Sequence, residues 1–187
     1  MQFVAELCMN NIVLTGFMGT GKSTVGRLLA RRLEREWVDM DTLIEERQRM
    51  SINQIFARYG EPYFRQLEAE LCRELAQAQG LVIATGGGAL VPEANLQALR
   101  QSGLVICFDC DPETVWQRIQ LSDNRPLLQQ AQDEERFTRL ANLLQQRHAA
   151  YQRVPYHIEV THRSPEEVAE IVIGMLDDFS AQRSANL

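Results

Sequence analysis

Five short apolar runs punctuate this chain, and the stretches between them carry hydrophobic residues at helical spacing. The runs lie near residues 11–15, 36–39, 81–85, 104–108 and 156–160. Ile12-Val13-Leu14, Leu81-Val82-Ile83-Ala84 and Leu104-Val105-Ile106-Cys107-Phe108 read as buried strands. Between them, Val25, Leu28, Leu29 and Leu33 form one helical stripe within residues 24–35. Phe64, Leu67, Leu71 and Leu75 form a second, and Phe137, Leu140 and Leu144 a third. Strands alternating with helices from end to end predict a three-layer, doubly wound α/β domain, with a central five-stranded parallel sheet covered by helices on both faces.

Helix boundaries are marked by local chemistry. Thr42 with Glu45, Ser51 with Gln54, and Ser164 with Glu167 each fit a capping box, while Asp111-Pro112 fits an N-cap followed by an N1 proline. Gly60, Gly80 and Gly103 each follow a helical segment where a left-handed C-terminal cap is expected. No internal repeat, low-complexity tract or linker divides the chain, so residues 1–187 are read as one domain. The least regular stretch, 121–133, contains Asn124-Arg125-Pro126-Leu127-Leu128 and reads as a lid.

Composition narrows the class. Of the residues, 45% are hydrophobic and 24% charged, the balance of a globular protein with a proper core. No apolar run approaches the roughly 20 residues that span a bilayer, and residues 1–10 lack a basic start and apolar stretch, so a cytoplasmic protein without membrane contacts is expected. A net charge of -6 argues against a nucleic-acid partner. Cys107-Phe108-Asp109-Cys110 has redox or zinc-like spacing, but no second clustered pair accompanies it. Cys107 is therefore expected inside a buried strand and Cys110 at its exit.

One basic residue stands apart. Lys22 is the only lysine, whereas every other basic side chain is arginine. It falls in Gly16-Phe17-Met18-Gly19-Thr20-Gly21-Lys22-Ser23, which fills every fixed position of G-x-x-x-x-G-K-[ST]. In that loop, backbone amides wrap an oligophosphate and a compact ammonium follows its outer oxygens. With Gly near 7% of residues, chance produces such a match in roughly 1% of chains this long. A strand before it and a helix after it complete the required setting.

A nucleotide enzyme also needs magnesium, a hard cation with oxygen ligands. Ser23 supplies one hydroxyl. A second anchor, holding a magnesium-bound water, is expected at the carboxyl end of a strand, where Asp109 and Asp39 both qualify. Asp39 is preferred because Asp41 follows at the i+2 spacing that turns two carboxylates to one face of an extended segment. Asp41 then orients or deprotonates an acceptor hydroxyl; the plainer alternatives are a helix cap for Asp41 and a solvated strand end for Asp39. Thr85-Gly86-Gly87-Gly88 leaves a buried strand through three residues without side chains, which suits close approach of a ligand. Arg65 and Arg147 end or flank apolar stripes, and composition alone does not single them out.

Taken together, these motifs resemble the shikimate kinase family from about residue 11 to 173. Gly16 through Arg27 is similar to its phosphate loop, Val38-Asp39-Met40-Asp41 to its D-x-D element, and Thr85-Gly86-Gly87-Gly88 to its glycine turn. Ile55-Phe56, Gly60-Glu61 and Phe64-Arg65 through Glu68 resemble its substrate-side helices. Arg125-Pro126-Leu127-Leu128 resembles its lid, and Arg147 with Tyr151 its late arginine motif. Tyr151-Gln152-Arg153-Val154-Pro155 departs from the more acidic, alanine-containing family pattern.

The resemblance implies a P-loop kinase fold, ATP and Mg²⁺ as cofactors, and phosphorylation of the 3-hydroxyl of shikimate in aromatic amino acid biosynthesis; a monomer is expected. Lys22, Asp41 and Arg125 become the catalytic residues. Gly19, Thr20, Gly21, Lys22, Ser23, Thr24, Arg118, Arg125 and Arg163 hold the nucleotide, and Ser23 and Asp39 the metal. Asp41, Arg65, Gly86, Gly87, Gly88 and Arg147 hold shikimate. A gluconate-type or nucleoside monophosphate kinase would lack this D-x-D, F-R and G-G-G set, and a regulatory nucleotide switch would not need the acceptor residues.

Overall fold

All five apolar runs become strands of one sheet: β1 (Asn11–Gly16), β2 (Glu36–Asp39), β3 (Leu81–Ala84), β4 (Gly103–Asp109) and β5 (Tyr156–Glu159). The computed structural model describes residues 10–120 and 133–185. Its strand order is β2-β3-β1-β4-β5, with every neighbouring pair parallel. Because the strands run the same way, β1, β2, β3 and β4 all release their loops at one edge of the sheet, and the motif residues collect there.

Seven helices cover the sheet among the described residues: α1 (Lys22–Arg32), α2 (Met40–Gln48), α3 (Ile52–Leu75), α4 (Glu93–Ser102), α5 (Pro112–Gln120), α6 (Asp133–Tyr151) and α7 (Pro165–Ala185). Alternate strand residues feed two cores. Ile12, Leu14, Leu104 and Ile106 pack with Val25 and Leu29 of α1 and with Val168, Val172 and Leu176 of α7. Val13, Ile83, Val105 and Cys107 pack on the opposite face with residues such as Met40, Ile55, Phe64, Leu96 and Leu140. Each of these strand side chains is essentially solvent-free, so each removes roughly 1.5–3 kcal/mol of apolar exposure from water.

Several boundaries follow the local signals. Ser51 accepts from the Gln54 amide while the Gln54 side chain accepts from the Ser51 amide, the expected reciprocal cap of α3. Ser164 and Glu167 repeat the arrangement at α7. Asp111 accepts from both the amide and the hydroxyl of Thr114 at the start of α5, and these bonds hold its carboxyl at about 2. Gly60 interrupts α3 at φ 81°, ψ 171°, and the helix resumes through Pro62, whose missing N–H is harmless in a first turn.

Two expectations are corrected. The cap of α2 is Asp39, not Thr42: its carboxylate accepts from the Asp41 and Thr42 amides, and Glu45 instead accepts from the Ile52 amide. Gly103 is extended rather than left-handed, at φ 171°. Glycine is needed there because a Cβ would fall 2.0 Å from the Asn11 carbonyl oxygen on the paired strand.

Cys107 is buried in β4 and Cys110 is half-buried just past its end, as expected. Both are free thiols, as is Cys72. No helix among the described residues is long and apolar enough to cross a membrane.

Candidate active site

The glycine loop joins β1 to α1. Gly21 caps that helix at φ 93°, a left-handed conformation that leaves its backbone open where an L side chain would be strained. Thr20 Oγ1 donates to the Phe17 carbonyl at 2.8 Å. The Lys22 ammonium donates to the carbonyls of Gly16 at 2.9 Å and Phe17 at 2.7 Å, so the lysine braces the loop it belongs to.

Beside it, Ser23 Oγ donates to Asp39 Oδ2 at 2.8 Å. The other carboxylate oxygen, Oδ1, accepts the α2 amides, which fixes the carboxylate plane. Neighbouring ligands of an octahedral Mg²⁺ stand about 2.9 Å apart, given metal–oxygen lengths near 2.0–2.1 Å. The hydroxyl–carboxylate pair therefore fits that cation in both spacing and oxygen chemistry. Asp109, the rival anchor, is committed elsewhere: its Oδ2 lies 2.7 Å from His157 Nδ1.

Ser23 lines two cavities. One, of about 470 Å³, runs along Gly19–Val25 and is flanked by Arg118, Arg163, Pro165 and Val168. Arg118 donates to the Val160 and Thr161 carbonyls at 3.2 and 3.3 Å, and Arg163 to the Glu159 carbonyl at 3.0 Å, which holds both guanidinium groups at that wall. This cavity gathers the expected nucleotide residues Gly19, Thr20, Gly21, Lys22, Ser23, Thr24, Arg118 and Arg163.

The second cavity, of about 580 Å³, gathers Asp39, Asp41, Arg65, Gly86, Gly87, Gly88 and Arg147. Four elements supply them: β2 with the first turn of α2, the resumed half of α3, the turn after β3, and α6. The glycines are there for room. A Cβ on Gly86 would lie 2.6 Å from Asp41 Oδ1, and one on Gly88 would lie 2.5 Å from Arg65 Nη1. Arg147 lies over the Phe17 ring, 5.7 Å from its centroid.

Glu68 was not among the expected site residues, yet it also lines this cavity. It is 2% exposed and accepts from Arg65 Nη1 at 2.5 Å, one turn along α3. Burial pushes its carboxyl up, against the pull of the Arg65 guanidinium. An acid three residues after Arg65 on the buried stripe was the available signal. Glu61 holds the other side of the same guanidinium at 2.8 Å.

Cys107, Asp109 and His157 form a side-chain group that sequence spacing concealed, with ligand atoms within 4.8 Å of one another. Both imidazole nitrogens are already engaged, with Asp109 and with the Val154 carbonyl at 3.0 Å. Arg125 and the expected lid lie outside the described residues.

The arrangement places a phosphate-binding loop on one side of Ser23, and the Asp39 and Asp41 carboxylates with two guanidinium groups on the other. It can hold an oligophosphate against a small anionic alcohol. The family model described as shikimate kinase matches residues 18–177. A shikimate kinase of Geobacter sulfurreducens is 47% identical over 158 residues, covering 84% of this chain and 86% of that protein. Among solved structures, a shikimate kinase from Bacteroides thetaiotaomicron superposes with TM-score 0.85 at 30% identity, over 90% of this chain and 99% of that one. A shikimate kinase from Acinetobacter baumannii in complex with shikimate gives 0.82 at 35% identity, over 94% and 97%.

Proposed function

This chain belongs to the shikimate kinase family, phosphorylating shikimate with ATP for aromatic amino acid biosynthesis, and we propose how its own residues divide that work. The Ser23-lined junction of the two cavities carries the reading, because it is where a terminal phosphate and an acceptor alcohol meet.

On the nucleotide side, the backbone of Gly19–Thr24 cradles the phosphates and Lys22 moves from the loop carbonyls to the γ-phosphate oxygens. Arg118 and Arg163 line the wall where the base lies. Ser23 and Asp39 would hold Mg²⁺, which would supply positive charge to offset that of the phosphates. On the acceptor side, Arg65 and Arg147 grip the shikimate carboxylate, a planar anion suited to guanidinium forks. Gly86, Gly87 and Gly88 approach the ring.

Asp41 accepts a hydrogen bond from the 3-hydroxyl and turns its oxygen toward the γ-phosphorus. A bond forms between that oxygen and phosphorus as the bond to the bridging oxygen of ADP breaks. The hydroxyl proton passes to Asp41 and then to solvent, leaving shikimate 3-phosphate and ADP. Arg125, by its place in the sequence, contributes positive charge to the transferring group from the lid.

We read residues 1–187 as a single catalytic domain acting as a cytoplasmic monomer without nucleic-acid or membrane partners. The negative net charge weighs against a nucleic-acid partner. The functional test is ADP release from Mg-ATP on adding shikimate, compared with a panel of other alcohols. Selective response to shikimate is expected; response to another alcohol alone would overturn the assignment.

A further inference from the structure

The glycine turn after β3 presents three consecutive carbonyl groups, and the protein's own donors occupy all three. The Ala89 amide donates to Gly86 at 3.1 Å and the Val91 amide to Gly88 at 3.2 Å. The middle carbonyl, that of Gly87, receives the Tyr151 hydroxyl at 2.6 Å. Two of these bonds are local. The third reaches across 64 residues of chain, from the last residue of α6.

Tyr151 lies one helical turn beyond Arg147, whose positive charge acts on the phenol. With its proton on Gly87, the phenol oxygen is left only to accept, and a guanidinium only donates. Arg147 Nη1 also stands close to Gly87, since a Cβ added there would lie 3.0 Å from it. Burial pushes the phenol up to about 12, so it remains a donor throughout the working pH range. Tyr151 itself is 8% exposed and lies within the α2–α6 core, where a phenyl ring alone would satisfy packing.

We propose that Tyr151 is a positioning residue for the acceptor site, locking the Gly87 peptide and the Arg147 guanidinium into one geometry. In a trans peptide the Gly87 carbonyl and the Gly88 N–H point oppositely. Fixing the carbonyl on Tyr151 therefore fixes the direction in which the Gly88 N–H is offered. The same oxygen restrains the fork that grips the acceptor's carboxylate. Binding is tightened because neither group has to be ordered when the acceptor arrives. The inference rests on the assignment of Arg147 and the glycine turn to the acceptor side.

The test is steady-state kinetics of Tyr151→Phe, Arg147→Ala and the double variant, each with its thermal midpoint. Tyr151→Phe is expected to raise KM for shikimate roughly three- to tenfold, with kcat and KM for ATP within about twofold. In the Arg147→Ala background the same substitution is expected to add less, since one of its two targets is gone. Tyr151→Gln, whose amide both donates and accepts, is expected to recover part of the loss and serves if the phenylalanine variant does not fold. A merely structural tyrosine would lower the thermal midpoint and leave KM for shikimate at the wild-type value; that result overturns the inference. If Arg147→Ala raises KM but Tyr151→Phe and Tyr151→Gln do not, the inference fails and the site assignment stands. If Arg147→Ala also leaves KM unchanged, both fail.

Discussion

The Ser23 hydroxyl and the Asp39 carboxylate meet at 2.8 Å, tying the first turn of α1 to the end of β2. One carboxylate does two jobs here, because its second oxygen caps α2. Substitution can separate them. Asp39→Asn keeps a capping oxygen but removes the charge, so stability should stay close to wild type while apparent Mg²⁺ affinity falls by at least on the order of tenfold. Asp39→Ala should lose both, with about 1 kcal/mol of additional destabilisation. Mg²⁺ titration of ADP release beside thermal melts checks both; an unchanged Mg²⁺ midpoint in Asp39→Asn would remove Asp39 from the metal site.

Asp41→Asn leaves the side chain its size but deprives the acceptor hydroxyl of a base. Turnover should fall about 10²- to 10⁴-fold, with a much smaller change in KM for shikimate. Wild-type turnover in this variant would leave Asp41 no role in transfer beyond its place in the first turn of α2.

Glu68 links pH to the acceptor site with opposite signs for activity and stability. Its carboxyl is raised by burial despite Arg65, so near that pKa the folded state binds more protons than the unfolded state. Its contribution to stability therefore grows as pH falls through the window between the ordinary glutamate value and the raised one, and is lost as pH rises through it. Protonation meanwhile loosens Arg65, so KM for shikimate should climb as pH falls through the same window. Glu68→Gln should show the raised KM at all pH values and flatten this limb of the KM profile. A wild-type profile in the variant would show that Glu68 does not govern Arg65.

Thiol reactivity should follow burial. Desolvation pushes Cys72 up to about 12 and Cys107 higher still, so neither should react with a disulfide reagent at pH 8 in the folded protein. Cys110, half-buried, should react slowly. Denaturation should then expose all four thiols of the chain. Rapid native modification of Cys72 or Cys107 would contradict the packing of the core.

Arg125→Ala should slow transfer by on the order of a thousandfold while largely sparing shikimate affinity, as expected of a positive charge serving the moving phosphoryl group. Loss of shikimate binding with normal turnover would instead move Arg125 to the acceptor side.

Much of this molecule was legible because its signals are local. The runs at Ile12–Leu14, Leu81–Ala84 and Leu104–Phe108 are strands because nothing polar interrupts them, and Ser51–Gln54 caps a helix within a single turn. The phosphate loop is a contiguous motif for the same reason. Where two local solutions competed, sequence chose wrongly: Asp39 captured the amides of α2 ahead of Thr42. Gly103 looked like a helix cap, but its requirement comes from β1, far away in the chain. The contacts of Glu68 and Tyr151 stayed hidden because they depend on side chains and carbonyls brought near by the whole fold. No spacing within α6 reveals that a tyrosine at its end reaches the Gly87 carbonyl.

The central position of β1 also sets a timetable for synthesis. Gly16, the first glycine of the phosphate loop, lies in register with Phe108, and Asn11 with Gly103. A nascent chain that has not yet released β4 from the ribosome thus lacks the strand that pairs with β1 up to the first glycine of the phosphate loop. Truncated translation products ending before residue 103 should neither capture nucleotide nor sequester the cell's ATP.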